Sequence, residues 1–397
     1  MQPFRAFFFL AALDAIAGVA MWLLTAVGVV SRSWAGAPIE IWHREELLFG
    51  MVPAGLAGFL LTALPRWTDR QPISPFQVRA LVVLWLAGRA SHVAFPVAAK
   101  LLAALFIALL ALIVFFQVIA ARDRRDIKVG ILLTLLSLAA LAAGDQAFDA
   151  ASEYGSRLGL AAILALSIVI GGRVIPTVTS AALAEPTETL PKRLSVWIEL
   201  FAAVGTAIGL AAWILAPALY ATALACAAAT IGQAARLLQW RFWRVLPIPG
   251  VVVLHVGYAW IPTGFALSAA HLLYPELCNT DAVVHAWAVG VIGVMCLGVW
   301  ASMIRRQTRA PFEFSVLVSA AYVCVFIAAV ARVSAACSAS MPMTPLWLGA
   351  VTWIAAYVLF LMGFARKLLR REASPSSIKL RHSLPPPAMI SGPSSAE

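Results

Sequence analysis

The sequence predicts an all-α membrane protein of twelve transmembrane helices. Three observations carry that reading. Of 397 residues, 62% are hydrophobic and only 12% charged, against roughly 45–50% and 25% in soluble domains. The mean hydropathy is +0.91, and the apolar residues fall into runs long enough to cross about 30 Å of hydrocarbon. Basic residues alternate in abundance from one inter-run segment to the next. A soluble enzyme and a secreted disulfide scaffold are excluded. The formal charge of +11 would suggest nucleic acid on a soluble chain. Here basic cytoplasmic loops account for it, so membrane lipids are expected as surroundings and nucleic acid is not.

Charged or Pro-rich breaks delimit the runs at about 7–30, 47–64, 78–95, 97–120, 129–148, 157–183, 195–215, 217–239, 250–273, 281–304, 312–335 and 345–368. The first follows Arg5 with no small-residue cleavage site and reads as a span rather than a removed signal. Runs 3 and 4 are separated only at Pro96, and runs 7 and 8 only at Ala216-Pro217, as tight hairpins. With the N-terminus inside, the inner segments hold 22 Lys and Arg. The outer ones hold four: Arg32, Arg44, Lys100 and Arg157. That asymmetry fits an even number of spans with both termini cytoplasmic. The membrane domain is residues 1–372. The Ser/Pro-rich segment 373–397 is expected to be a disordered cytoplasmic tail. Trp34, Trp42, Trp67, Trp240 and Trp243 fall near predicted interfaces, where aromatic belts anchor depth.

Runs 2, 6 and 10 resemble one another. Anchored on Gly50, Gly171 and Gly290, they are spaced 121 and 119 residues apart, and Arg89 and Arg332 are 243 apart. A period near 120 holds four spans, so the chain reads as three four-helix repeats. The catalytic subunit of haem-copper oxidases has a similar organisation. The likeness is one of architecture, which does not fix function.

A charge within the bilayer is costly unless paired or hydrated. Arg89, Arg173, Arg332, Asp14 and Asp145 are therefore candidates. The arginines either pair with buried Asp14 or hold an anion or haem propionates, which suit a guanidinium fork. Arg173 lies in GGRVIP, where Pro176 frees backbone carbonyls and irregular backbone is expected to line a cavity or be covered by protein.

Of six histidines, His382 is in the tail and His255 near the inner end of run 9. His43, His92, His271 and His285 sit near the outer face. His43 and His285 occupy related positions in the first and third repeats. In a pseudo-threefold bundle they would approach as axial ligands of a b-type haem; in the oxidases, spans 2 and 10 supply the low-spin haem ligands. No clustered copper site is visible, since Cys226, Cys296 and Cys324 are isolated. Cys278 and Cys337 both fall in outer loops, where a disulfide is permitted. No dinucleotide fingerprint, Walker A or GxSxG motif is present.

Several segments together resemble the NnrS family of bacterial membrane proteins. They are PFRAFFFLAAL (3–13), IWHREELLFG (41–50) with GLAGFLLTALPRWTDRQPIS after it, LAGR (86–89), GGRVIPTVTSAAL (171–183), LHVGYAWIPTGF (254–265), HAWAVGVIGVMCLGV (285–299) and ARV (331–333). The resemblance implies a cytoplasmic-membrane protein carrying haem and copper, linked to nitric oxide metabolism and tolerance of nitrosative stress. It points to His43, Glu46, Arg89, Arg173, His255, His285 and Arg332. The histidines would ligate metal and the arginines balance charge. Glu46 would orient His43, relay protons or face solvent. Two positions depart from the family pattern: Glu45 stands where a second His is expected, and Gln307 where the segment after run 10 carries His. Both bear on copper more than on haem. An electron-transfer partner is implied. A secondary transporter for a small anion, or a factor that passes haem or copper to another enzyme, fits the same twelve spans.

Overall fold

A computed structural model describes residues 2–34, 37–92, 94–122, 126–143, 150–185, 190–308, 315–338 and 343–369. Twelve helical rods follow in the expected order. Spans 1 to 6 are Pro3–Ala26, Ile39–Trp67, Pro75–Ser91, Pro96–Ala120, Ile127–Ala142 and Ala150–Leu183. Spans 7 to 12 are Lys192–Leu215, Tyr220–Gln239, Pro249–Leu273, Thr280–Gln307, Val316–Ala336 and Met343–Leu369. Ten are long and apolar enough to cross a membrane; spans 3 and 5 are shorter, at 17 and 16 residues. Spans 1 and 2 are joined through a short antiparallel pair, Ser33–Trp34 with Ala37–Pro38. The Asp145 position and the tail 373–397 lie outside the described residues.

Local chemistry sets the rod boundaries. Pro3, Pro75, Pro96 and Pro249 each open a helix, where the missing N–H costs nothing. Ser74 and Gln77 close a reciprocal capping box on span 3. Phe95 (φ −139°, ψ 70°) and Ala216 (φ −143°, ψ 57°) leave the helical region directly before proline. Both expected hairpins are therefore present.

Two starts differ from the sequence reading by seven residues or more. Span 2 begins at Ile39 rather than 47, and span 6 at Ala150 rather than 157. The charged residues that looked like breaks are helical, because they face one another and a cavity instead of lipid. Span 6 also stays α-helical through Pro176, and the Thr177 hydroxyl donates to the Arg173 carbonyl there, at 2.7 Å. The irregular backbone appears elsewhere, as π-helical segments at Leu47–Met51 in span 2 and Ala286–Gly293 in span 10. Such wide turns release carbonyls from the helical ladder. Trp85 Nε1 donates to Gly50 O at 3.0 Å and Tyr357 Oη to Gly293 O at 3.5 Å.

Spans 2, 6 and 10 pack against one another at the centre. Spans 2 and 10 are the most enclosed, with 83% and 72% of their apolar windows buried. Span 12 packs on span 1, where Trp353 Nε1 donates to Ala15 O at 2.9 Å. The three central rods are the three that resemble one another in sequence. Phe76, Phe116, Ile119 and Leu224 are among many large apolar residues exposed on the outside, an arrangement suited to lipid.

Candidate functional site

A cavity of about 530 Å³ opens at one end of the bundle. The even-numbered spans 2, 6, 10 and 12 line it with their first turns, and spans 1, 7 and 11 with their last. Alternating helix direction gives that pattern. Most of the wall is apolar: Val19, Leu48, Leu160, Val289, Ile292 and the rings of Trp22, Trp213 and Trp353 contribute to it.

His43 and His285 line this cavity from spans 2 and 10. The Nδ1 of His43 lies 3.0 Å from the carbonyl oxygen of Gly18, and that of His285 lies 2.8 Å from the carbonyl oxygen of Asp281. A carbonyl only accepts, so each ring carries its proton on Nδ1 and leaves the Nε2 lone pair for a ligand. In each span the π segment follows within five residues. Trp22 flanks His43 at 6.3 Å between ring centroids.

Charged groups also line the cavity. Arg332 approaches the Asp281 carboxylate at 3.8 Å through Nη2, and its buried Nη1 has no hydrogen-bond partner among the described residues. Arg332 is within electrostatic range of both histidines. Arg157 pairs with Glu153 one turn away and lies 6.0 Å over the Trp213 ring. Arg44 and Glu40 complete the set, giving three guanidinium groups against three carboxylates. Sequence reasoning assigned Arg44 and Arg157 to outer loops. The i,i+4 spacing of Glu153 and Arg157 was the available signal that this stretch is helical.

The remaining singled-out residues lie elsewhere. Arg89 Nη1 meets Glu46 Oε2 at 2.7 Å, and His92 Nε2 lies 3.3 Å from the same oxygen. Arg173 is bound to both oxygens of Asp126 at 3.0 Å and stacks 4.1 Å over Trp67. It is not among the cavity residues. His255 is buried between Thr179 Oγ1, 3.4 Å from its Nε2, and the Val251 carbonyl, 3.3 Å from its Nδ1. Both its nitrogens are engaged and neither faces the cavity. Asp14 is buried beside Glu46 and Arg89. His271 is held by Cys278 O at 2.8 Å and Thr280 Oγ1 at 3.3 Å. Cys278 and Cys337 are free thiols and neighbours. Burial, and then Cys337, push the Cys278 thiol up to about 11.

The sequence profile of the NnrS protein family matches residues 1–371, which is the whole helical bundle. The chain belongs to the NnrS family. No curated protein matches it. In this NnrS-family chain the motif around His43 forms the start of span 2, and the motif opening at His285 forms the π segment of span 10. The departure at Gln307 sits at the opposite end from the cavity, where Gln307 accepts from Arg66 at 3.0 Å. Losing a histidine there leaves the His43–His285 pair untouched. Among the described residues, no three His, Cys, Asp or Glu side chains converge as a small-ion site.

Proposed function

We propose that this NnrS-family protein holds a b-type haem between His43 and His285 and acts in nitric oxide metabolism, as part of tolerance to nitrosative stress. The observation that supports the reading best is the pair of imidazoles on one cavity wall set, each with Nδ1 tied to a backbone carbonyl. That arrangement fixes the tautomer a haem iron requires. The cavity lies in the 300–1,000 Å³ range of cofactor sites. Its apolar walls suit a macrocycle. Arg332, whose buried Nη1 has no hydrogen-bond partner among the described residues, and Arg157 suit the two propionates.

When bound, the haem would supply a one-electron couple and an iron centre able to bind NO. The chain's own residues do the rest. Gly18 and Asp281 orient the two rings, the apolar wall excludes water, and Arg332 sets local charge. No copper step follows from these residues. The nitric oxide role rests on family membership. The bias of basic residues supports a bacterial cytoplasmic membrane with both termini inside, and the cavity then opens on the outer side, where an electron-transfer partner could reach it.

The test is an absorption spectrum of the detergent-purified protein, oxidised and reduced, with haem and metal analysis on the same sample. Stoichiometric b-type haem is expected. A colourless, metal-free protein from haem-replete cells would overturn the reading and favour an anion transporter. That rival gains no support from the cavity, whose three cations face three carboxylates. Nor does it gain any from Arg173, which is paired to Asp126.

A further inference from the structure

One turn of span 1 meets one turn of span 2. Gly18 faces His43, and one turn deeper Asp14 faces Glu46. Asp14 is 7% exposed and Glu46 4%. The Glu46 carboxylate acts on Asp14 across that turn, and Asp14 Oδ2 flanks the same space beside Gly50 as the Arg89 Nη1 that is bound to Glu46. Arg89 Nη1 is 2.7 Å from Glu46 Oε2 and is engaged there. Asp14 Oδ2 has no hydrogen-bond partner among the described residues. The charges acting on Asp14 are those of Glu46 and Arg89, so two carboxyls answer to one guanidinium. Gly50 leaves the space: a Cβ there would stand 2.4 Å from Arg89 Nη1 and 2.8 Å from Asp14 Oδ2.

Two facing carboxylates repel, and a buried pair at contact shares one proton. We propose that Asp14 and Glu46 form a proton-binding site, with His92 connecting it to the surface. His92 Nε2 is 3.3 Å from Glu46 Oε2, its side chain is 14% exposed, and it caps the end of span 3 at the cavity end of the bundle. In uptake, His92 passes a proton from water to the Glu46 carboxylate and regains one from solvent. The O–H bond formed is then shared with Asp14, and the site gains one positive charge. A proton held one turn below His43 would offset a charge change at that imidazole. The site itself rests on the carboxyls alone and stands independently of the haem reading.

The experiment is infrared spectroscopy of the full-length protein in detergent at neutral pH, in H2O and in D2O. A protonated-carboxyl C=O band is expected that shifts in D2O and disappears in both Asp14→Asn and Glu46→Gln. In His92→Phe the band should persist while its exchange into D2O slows by about a hundredfold. Absence of the band in the unmodified protein, or its survival in both carboxyl variants, overturns the site. Unchanged exchange in His92→Phe overturns the route. Where a carboxyl variant does not fold, the unmodified protein still decides: the band must persist at a pH where solvated carboxylates are fully ionised. Colourless protein carries the same carboxyls, so failure of the haem reading leaves this measurement intact.

Discussion

Asp281 and Arg332 approach to 3.8 Å between spans 10 and 11, and the backbone carbonyl of the same Asp281 holds His285 Nδ1 at 2.8 Å. One residue thus ties a cavity arginine to a cavity imidazole. Arg332→Leu removes the cation that suits a propionate and frees the Asp281 carboxylate. Haem retention should weaken by about 10- to 100-fold, read as the rate of haem loss to an apo-globin acceptor. Unchanged retention would remove Arg332 from the site.

His43→Ala and His285→Ala should each yield protein with the bundle intact and haem content lowered to background, measured by pyridine haemochrome. Arg173→Gln is the contrast. Its side chain is tied to Asp126 and Trp67, so haem content should stay at the unmodified level. Loss of haem in Arg173→Gln with retention in either histidine variant would reverse the assignment.

Cys278 supplies a pH dependence. Its thiol is raised from the ordinary 9.0 to about 11. A raised thiol pKa means less thiolate at neutrality, and thiolate is the reactive form. Two pH units correspond to about a hundredfold less thiolate at pH 7. In reduced protein, alkylation at Cys278 should therefore lag an exposed thiol by that factor and rise with pH until about 11. Rapid alkylation at neutral pH would show that burial at this turn is weaker than described. Oxidation to a Cys278–Cys337 bridge would block alkylation until reductant is added.

Gly50→Ala should destabilise the protein by about 1–3 kcal/mol. The added methyl would meet an arginine held in place by Glu46, at 2.4 Å, so the neighbour cannot swing aside cheaply. A midpoint of thermal unfolding in detergent lower than that of the unmodified protein is expected, and an unchanged one would count against the close approach.

Much of this was legible in the chain. The proline-opened helices and hairpins at Pro96 and Pro217 follow from local backbone chemistry, which needs no tertiary contact. Spans 2 and 6 begin earlier than their apolar runs, because charged residues end an apolar run without ending the helix. Glu40, Arg44, Glu153 and Arg157 can be helical at that depth only because they face a shared cavity. Likewise Arg89, Arg173 and Arg332 look equivalent as lone charges in apolar runs. Their roles diverge because each meets a different partner: Glu46, Asp126 and Asp281.

The sequence by itself determined that the chain is a twelve-rod membrane bundle, and it showed the likeness among spans 2, 6 and 10. Hydropathy and turn chemistry are local properties, and the bilayer enforces them span by span. Only the tertiary structure decided that His43 and His285 share a cavity while His255 does not. Only it showed that Asp14 lies against Glu46. Those facts depend on the rotation of each rod about its axis, which comes from side-chain packing between rods distant in sequence and leaves no periodic trace in any one of them.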